Sequence, residues 1–376
     1  MVYYSPQQSS EFEEKKTVRD IIKLKEIKGD EPKKRFYRAK WFWAFSCILI
    51  FIIVSSGYAA HEINSTFNKI SNTKGSILKT AIRMLPLENS IFKILPLEET
   101  PVVKSAKENG RINFLVLGIR GRGDPHGGLL TDSIIIVSVK PKTNQVALIS
   151  IPRDLYVEIP GYSSKEKINT AYALGERNSQ FSGGGLILAK EVISEVTGLP
   201  IHYAVSVDFE AFKEIVDTLG GVTIYLDKPF CDPFQFAEGK ICLTQGKQEL
   251  DGKKALLYVR SRYSTNDFDR SRRQQQVLIA IKDKAFSTGT LANPLKINSF
   301  LNTLKNNVRT DIELWELQDL IEIIQKIENP QIVHKVFDTS PEGLLYSARI
   351  NGSYVLLPEG GNFEKIQEVC KNIFNE

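Results

Sequence analysis

Five arginines are concentrated in one short stretch of this chain, residues 258–276, around two aspartates. The arginines are Arg260, Arg262, Arg270, Arg272 and Arg273, and the aspartates are Asp267 and Asp269. A guanidinium group keeps its charge at physiological pH, and its planar fork of donors matches two phosphate oxygens at once. The cluster therefore favours an anionic ligand, a phosphate or pyrophosphate, with a solvated charged helix face as the alternative.

Helical spacing divides this cluster. Arg270 and Arg273 stand three residues apart and share one face of a predicted helix, whereas Arg272 points elsewhere. The partial positive charge at the helix N-terminus adds to the affinity for an anion. Asp267 and Asp269 are candidates for the N-cap, and either is equally a candidate base or metal ligand, because spacing alone does not choose.

Two further charged residues lie at the ends of predicted strands. Asp132 follows a glycine-rich loop and precedes an apolar strand, where a carboxylate can hold Mg²⁺ beside substrate phosphates, with turn capping as the alternative. Arg153 follows the C-terminal end of another apolar strand, where open α/β sheets bind ligands. It is a candidate phosphate clamp or a simple turn partner of Asp154. The KINTAY segment offers three polar wall residues, Lys167, Asn169 and Tyr172.

The elements that must position these residues alternate between strands and helices. Short runs rich in Ile and Val predict strands at residues 112–119, 133–139, 145–151, 201–207 and 222–226. Helical patterns cover residues 186–196, 209–219, 253–260 and 270–286. This alternation predicts an α/β fold, a three-layer α-β-α sandwich around a central mixed sheet. Residues 290–376 add helical patterns and strands near 332–337 and 354–357, and either complete the same domain or form an appendage.

Charge and hydropathy indicate where this domain lies. The chain has 376 residues, 42% of them hydrophobic and 25% charged, with a net charge of +5. Residues 41–60 form an uncharged run of about 20 residues, the length of a single transmembrane helix, with signal-peptide cleavage as the alternative. Because basic residues precede this run, residues 1–40 are predicted to be cytoplasmic and the rest extracytoplasmic. Much of the positive charge lies in that tail, so nucleic-acid binding is not predicted.

The cysteines fit an extracytoplasmic compartment. Cys231 and Cys242 lie in one loop-like stretch and are predicted to form a disulfide, with two independent thiols as the alternative. Cys370 is predicted to be a small buried hydrophobe in a C-terminal helix. The sequence has no Cys-x-x-Cys pair and only four scattered histidines, which does not favour a zinc site.

Five motifs, in their order and spacing, resemble the LytR-CpsA-Psr family. They are SIPRD, KINxAY, VDF followed by LGGV, YVRSR and DFxRxxRQQ, and the resemblance covers roughly residues 111–289. The resemblance also covers the layout of a cytoplasmic tail, one span and an external catalytic domain. It implies a tail at residues 1–40, a transmembrane helix at 41–60, a stalk at 61–108, a catalytic domain at 109–289 and an extension at 290–376.

The resemblance implies a specific activity. Members of this family transfer a glycopolymer from a polyprenyl-pyrophosphate carrier to a cell-wall acceptor, commonly peptidoglycan, outside the membrane. A hydrophobic pocket would hold the lipid, while arginines and Mg²⁺ would hold the pyrophosphate. Two other functions stay open: hydrolysis of the pyrophosphate lipid, and lipid binding by a non-catalytic regulator of the envelope.

Candidate roles follow position by position from the resemblance and the charge pattern. The predicted pyrophosphate-binding residues are Arg120, Arg153, Arg260, Arg262, Arg270, Arg273 and Lys167. Among them, Arg153, Arg270 and Arg273 are the predicted catalytic arginines. Asp267 is the predicted base, with Asp269 as the alternative.

Two departures from the family pattern concern the metal. Asp132 matches a family metal ligand, but Leu130 and Thr131 replace the Arg and Ser that usually precede it. Arg120 stands where the family has a second metal-binding aspartate. Either Asp124 compensates from the loop, or Arg120 supplies positive charge in place of part of the metal. Mg²⁺ is thus expected on Asp132 and Asp124, with Arg120 placing the requirement in question.

Overall fold

A six-stranded mixed sheet lies at the centre of the fold. The computed structural model describes residues 110–125, 128–178, 184–233, 239–262, 265–287, 304, 306–327 and 329–375. The predicted tail, transmembrane helix and stalk lie outside these residues. Within the described residues, none of the helices has the length and apolar character needed to cross a bilayer.

The sheet is built from strands that are distant in sequence. Its strands are β1 (Ile112–Gly118), β2 (Ser133–Lys140), β3 (Gln145–Ser150), β6 (Tyr203–Val207), β11 (Val308–Thr310) and β12 (Gln331–Val336). Their order is β11-β6-β1-β2-β3-β12. β1, β2 and β3 form an antiparallel meander, whereas β6 pairs in parallel with β1 and β12 pairs in parallel with β3.

Shorter strand pairs and helices surround this sheet. The pairs are β4 (Tyr156–Val157) with β5 (Glu166–Lys167), β7 (Val222–Leu226) with β10 (Gly246–Leu250), β8 (Phe230–Asp232) with β9 (Ile241–Leu243), and β13 (Leu345–Ile350) with β14 (Ser353–Pro358). The helices are α1 (Ala171–Arg177), α2 (Gly184–Thr197), α3 (Phe209–Thr218), α4 (Gly252–Arg260), α5 (Asp267–Ser287), α6 (Leu314–Gln325) and α7 (Glu364–Asn372).

The two faces of the sheet carry different contacts. Successive residues of a strand point to opposite faces. Leu115 and Leu117 of β1 pack into a fully buried core with apolar residues of α2 and α7. Val116, between them, faces a cavity beneath α4 and α5. Helices on both faces of a central mixed sheet give the α/β architecture that the alternation of strands and helices predicts.

The C-terminal extension contributes both edge strands of the sheet. β11 pairs with β6, and β12 pairs with β3. Helix α7 buries Ile366 and Cys370 in the same core as α2, in agreement with the predicted burial of Cys370. Of the two possibilities left open by the sequence, the described residues therefore favour an extension that completes the same unit.

A disulfide joins the short β8 and β9 strands. Cys231 and Cys242 are paired directly across these strands and are bonded, as predicted. Phe230, beside Cys231, packs its ring edge-on against Tyr258 of α4, with 5.1 Å between ring centroids. The disulfide therefore holds a hairpin that contacts the end of α4, next to the arginine-rich segment.

Candidate functional site

Asp132 and Arg153 form the centre of the candidate site. Since β2 and β3 are antiparallel, Asp132 just before β2 and Arg153 just after β3 lie at the same edge of the sheet. Arg153 Nη1 is 2.5 Å from Asp132 Oδ1, and Arg120 Nε, beyond the end of β1, is 3.4 Å from Asp132 Oδ2. Burial opposes the charge on Asp132, but Arg153, with Arg270 and Arg120, lowers the pKa of Asp132 below its ordinary value.

Helix α5 brings a second carboxylate to this centre. The helix is capped by Asn266, whose side-chain oxygen accepts the N–H of Asp269 at 2.8 Å. Neither Asp267 nor Asp269 is therefore the N-cap that the sequence analysis proposed. Asn266 takes that role because it precedes the first helical residue, which leaves the Asp267 carboxylate to pair with arginines.

Asp267 holds three arginines together. Its carboxylate lies 3.0 Å from Arg270 Nη2, 3.3 Å from Arg262 Nη1 and 4.0 Å from Arg153 Nε. Asp267 is the predicted base, with Asp269 as the alternative, but neither lines the two cavities described below. The contacts of Asp267 support a role in positioning guanidinium groups.

Arg153 and Arg270 each keep a hydrogen-bond donor for a ligand. Arg270 is 5% exposed, and its Nη2 donates to the backbone oxygen of Asp132 at 2.9 Å. Burial lowers the pKa of Arg270 to about 10, so the group is still charged at neutral pH. Among the described residues, the buried Nε atoms of Arg153 and Arg270 have no hydrogen-bond partner. Because unsatisfied buried donors are costly, these atoms indicate where an anion would bind.

An apolar cavity of about 240 Å³ opens at these arginines. On α5, Arg270 and Gln274 are four residues apart and lie at its mouth, while Leu278 continues the same helix face inward. Its other apolar walls come from the sheet and from α3 and α4, and include Val116, Ile135, Phe212, Leu256, Val259 and Ile281. This volume is below the roughly 300–1,000 Å³ of ligand pockets. The cavity therefore has room for only the proximal part of a long apolar chain.

A second, polar cavity of about 610 Å³ meets the first at three shared side chains, Arg120, Asp132 and Arg153. It is bounded by the β4–β5 pair and by the β13–β14 hairpin. Two predicted residues, Lys167 and Asn169, line it, and Lys167 Nζ is 2.7 Å from Asp154 Oδ1. Tyr172, the third predicted wall residue, is instead buried in the core, where its hydroxyl accepts a hydrogen bond from Ser206.

The remaining predicted arginines differ in position. Arg260 and Arg262 line the apolar cavity, and the Arg260 guanidinium stacks 4.3 Å from the ring centre of Phe209. Arg272 points away, as predicted, and pairs with Asp269 at 2.8 Å; 56% of its side chain is exposed.

Arg273 lies outside both cavities. Its guanidinium donates to the backbone oxygens of Tyr258, at 3.0 Å, and Ser261, and lies 4.9 Å from the ring centre of Phe230. The structure therefore separates it from Arg270, although three-residue spacing predicted a shared role. The reason is that the last carbonyls of α4 lack helical partners, and Arg273 satisfies them.

Two glutamines of α5 support the site and were not singled out from the sequence. Gln274 lines the apolar cavity and accepts a hydrogen bond from Ser133 Oγ at 2.8 Å. Gln275 is fully buried and donates to Ser150 Oγ and to the backbone oxygens of Leu148 and Lys335. Polar residues inside an otherwise apolar helix stripe were the available signal, since buried amides need partners.

The predicted magnesium ligands do not form a carboxylate cluster. Both oxygens of Asp132 face guanidinium groups, and Asp124 lies 3.9 Å from Arg120 Nη1. Mg²⁺ requires near-octahedral oxygen ligands and commonly uses one or two carboxylates with substrate phosphates. In the described part of the chain, no group of three or more His, Cys, Asp or Glu side chains is placed to hold a metal ion. Because guanidinium groups already pair with both oxygens of Asp132, the metal stays a prediction and no step below is assigned to it.

Fold and site together define an α/β protein built to hold a ligand with an apolar tail and an anionic head. Residues 66–372 match the LytR_cpsA_psr family, and the chain belongs to that family.

Relatives with curated names are similar over most of this chain. The polyisoprenyl-teichoic acid–peptidoglycan teichoic acid transferase TagU of Oceanobacillus iheyensis is 32% identical over 78% of this chain and 84% of its own. The TagU of Bacillus cereus is 31% identical over 79% of this chain and 89% of its own.

Solved structures share the fold. A structure of TagT bound to LI-WTA has a TM-score of 0.53 at 27% identity and covers 74% of this chain and 93% of its own. B. subtilis TagV has a TM-score of 0.55 at 27% identity and covers 70% of this chain and 97% of its own.

Proposed function

We propose that this protein is a membrane-anchored phosphotransferase that moves a glycopolymer from a polyprenyl-pyrophosphate carrier to a cell-wall acceptor such as peptidoglycan. The observation that carries this proposal is the continuity between the apolar cavity and the arginines at its mouth. The cavity suits the proximal isoprene units, and the Nε donors of Arg153 and Arg270, which make no hydrogen bond to the described residues, suit the pyrophosphate oxygens. The named activity of the TagU relatives supports the same substrate class.

The reaction joins an acceptor hydroxyl to the phosphorus nearer the glycan. The new P–O bond forms as the bond to the bridging oxygen breaks, and the lipid phosphate leaves with that electron pair. Charge spreads over the phosphate oxygens in the transition state, so preorganised positive groups supply most of the catalysis. Arg153 and Arg270 are the proposed catalytic arginines, with Arg120, Arg260 and Arg262 as further pyrophosphate-binding groups.

The site would operate at the outer face of the membrane. Residues 41–60 carry no charge and follow a basic tail, which supports a single span with the N-terminus in the cytoplasm. An anchor of this kind would hold the enzyme at the bilayer, from which a polyprenyl carrier cannot dissociate freely. The proposed location is therefore the cell membrane, with the catalytic residues outside.

Arg270→Ala tests the proposal, with Arg272→Ala as the matched control on the same helix. Loss of the Arg270 guanidinium is expected to lower transfer by about 100-fold or more, the effect of removing a preorganised charge-stabilising donor. Arg272→Ala should stay near wild type because Arg272 points to solvent. Transfer from carrier-linked glycan to peptidoglycan is measured, with circular dichroism to check folding.

Wild-type transfer by the Arg270→Ala protein would overturn this assignment. The same assay without acceptor separates the alternatives: release of lipid phosphate at an unchanged rate would indicate a hydrolase, and tight binding without turnover would indicate a non-catalytic lipid-binding protein.

A further inference from the structure

The proposed function assigns no ligand to the polar cavity, which shares Arg120, Asp132 and Arg153 with the apolar cavity. We propose that the polar cavity is the subsite for the acceptor glycan and that the β13–β14 hairpin of the C-terminal extension forms its wall. This inference rests on the proposed function and assigns the second substrate to a place in the structure.

The direction of phosphoryl transfer places the acceptor. The attacking and leaving oxygens lie roughly in line on either side of the phosphorus. The leaving lipid phosphate belongs to the apolar cavity, which runs beneath α4 and α5 towards Leu278 and Ile281. The attacking hydroxyl must then arrive from another side of the shared arginines. The polar cavity opens there, between the β4–β5 pair and the hairpin.

The lining of this cavity matches a carbohydrate. Its volume of about 610 Å³ lies within the roughly 300–1,000 Å³ of ligand pockets and is large enough for sugar rings. Uncharged hydrogen-bonding side chains line it at six positions, Tyr156, Ser164, Asn169, Thr170, Asn351 and Ser353. Hydroxyl and amide groups both donate and accept hydrogen bonds, as sugar hydroxyls do.

The hairpin is held in place by backbone hydrogen bonds to the segment that follows Arg153. The N–H of Leu356 donates to the backbone oxygen of Asp154 at 2.9 Å, and Leu155 and Leu356 form a parallel bridge. Val355 and Leu356 are 1% and 3% exposed. A wall anchored one residue from Arg153 holds a bound glycan at a set distance from the arginine that contacts the phosphate.

The geometry also identifies an acceptor for the hydroxyl proton. Asp154 lines the polar cavity, held by Lys167 at 2.7 Å and by Arg153 Nε at 3.5 Å. As the acceptor oxygen bonds to phosphorus, its proton passes to the Asp154 carboxylate, and the bridging P–O electrons leave with the lipid phosphate. Asp154, which lines the polar cavity, thus joins Asp267 and Asp269 as a candidate base.

Two tryptophan substitutions in the hairpin test the subsite. Ser353 is exposed and lines the cavity, whereas Ser347 is exposed on the same hairpin but faces away from the cavity. Full-length protein is assayed with a farnesyl-pyrophosphate-linked disaccharide as donor and soluble peptidoglycan chains as acceptor. Ser353→Trp should raise the KM for acceptor about tenfold or more, and Ser347→Trp should not change it.

Two binding measurements keep the test specific. Binding of farnesyl pyrophosphate and of the disaccharide donor, by calorimetry, should change less than about twofold in both variants. An unchanged acceptor KM in Ser353→Trp, or loss of donor binding instead, would overturn the inference; the latter would make the cavity a donor-glycan site. A wild-type protein that neither binds farnesyl pyrophosphate nor transfers glycan would overturn the proposed function itself.

Discussion

Arg120 carries positive charge into the place where the family pattern has a carboxylate. Its guanidinium lies 3.4 Å from Asp132 and 3.9 Å from Asp124, so it bridges the two predicted metal ligands. A cation would compete with this group for both carboxylates. We therefore expect Arg120 to supply part of the charge that a metal ion would otherwise bring to the pyrophosphate.

Arg120→Asp is therefore expected to make ligand binding depend on a metal. The change removes one guanidinium and adds a carboxylate beside Asp132, which creates a site of two carboxylates suited to Mg²⁺. Farnesyl pyrophosphate binding is measured by calorimetry with EDTA and with Mg²⁺. Wild type should bind equally in both, whereas the variant should bind about tenfold or more weakly in EDTA. Strong inhibition of wild-type binding by EDTA would contradict this prediction.

The charged residues at the centre of the site could be predicted from the sequence, but the pairs that they form could not. Arg153, Asp132 and Arg270 meet as predicted from strand ends and helix spacing. Arg273 does not join them, because it donates to the backbone carbonyls of Tyr258 and Ser261 at the end of α4. The spacing of side chains along a helix does not predict hydrogen bonds to backbone carbonyls. The N-cap is Asn266 and not Asp267 or Asp269. All three are residues that commonly cap helices, so the sequence alone did not distinguish them.

At the scale of elements, the end of α4 is held by contacts from two directions. Arg273 of α5 donates to the carbonyls of Tyr258 and Ser261, while the disulfide-linked hairpin packs Phe230 against both Arg273 and Tyr258. Arg260 is the last residue of α4 and Arg262 lies two residues further on, and both line the apolar cavity. Arg273 is therefore a positioning residue for the other two arginines.

Arg273→Ala is expected to lower both stability and ligand affinity. Loss of charged hydrogen bonds to buried carbonyls costs about 1–3 kcal/mol of unfolding free energy. Arg272→Ala is the control: Arg272 is 56% exposed and lines neither cavity, and an exposed substitution usually changes stability by less than about 0.5 kcal/mol. Denaturant unfolding and farnesyl pyrophosphate binding are measured for both. If the stability of Arg273→Ala equals that of Arg272→Ala, the positioning role is wrong.

Strands and helices with strong local patterns were predicted close to their observed bounds. The predicted helix at residues 270–286 is observed at Asp267–Ser287, and the predicted strand at 354–357 lies within Ser353–Pro358. Its partner β13 was missed because Leu345–Ile350 contains Ser347 and Arg349 at exposed positions and lacks a continuous apolar run. β13 is recognisable as a strand only through its pairing with β14.

In the whole molecule, the described residues after 289 complete the central sheet. They provide both edge strands, and Ile366 and Cys370 of α7, with Ile373 just after it, pack into the main core. The sequence left their role open because β12 pairs in parallel with β3, nearly two hundred positions away. Such a pairing has no local signal.

Truncation after residue 289 is expected to abolish stable folding. It would expose the backbone edges of β6 and β3 and remove buried large apolar side chains, among them Phe337, Leu356, Ile366 and Ile373, each worth about 1.5–3 kcal/mol. Solubility and thermal unfolding of residues 60–289 are compared with those of residues 60–376. A soluble fragment with a cooperative transition would show instead that the extension is an appendage.

The site pairs its arginines with its own carboxylates, and a bound anion must compete with these carboxylates for the guanidinium groups. The arginines are Arg120, Arg153 and Arg270, and the carboxylates are those of Asp132, Asp154 and Asp267. Every guanidinium already has an internal carboxylate partner, so a small anion such as sulfate gains little by replacing one. A ligand must add energy from elsewhere, and burial of an isoprenoid tail provides about 25 cal/mol per Å². We therefore expect the site to bind amphiphilic pyrophosphates in preference to free inorganic phosphate.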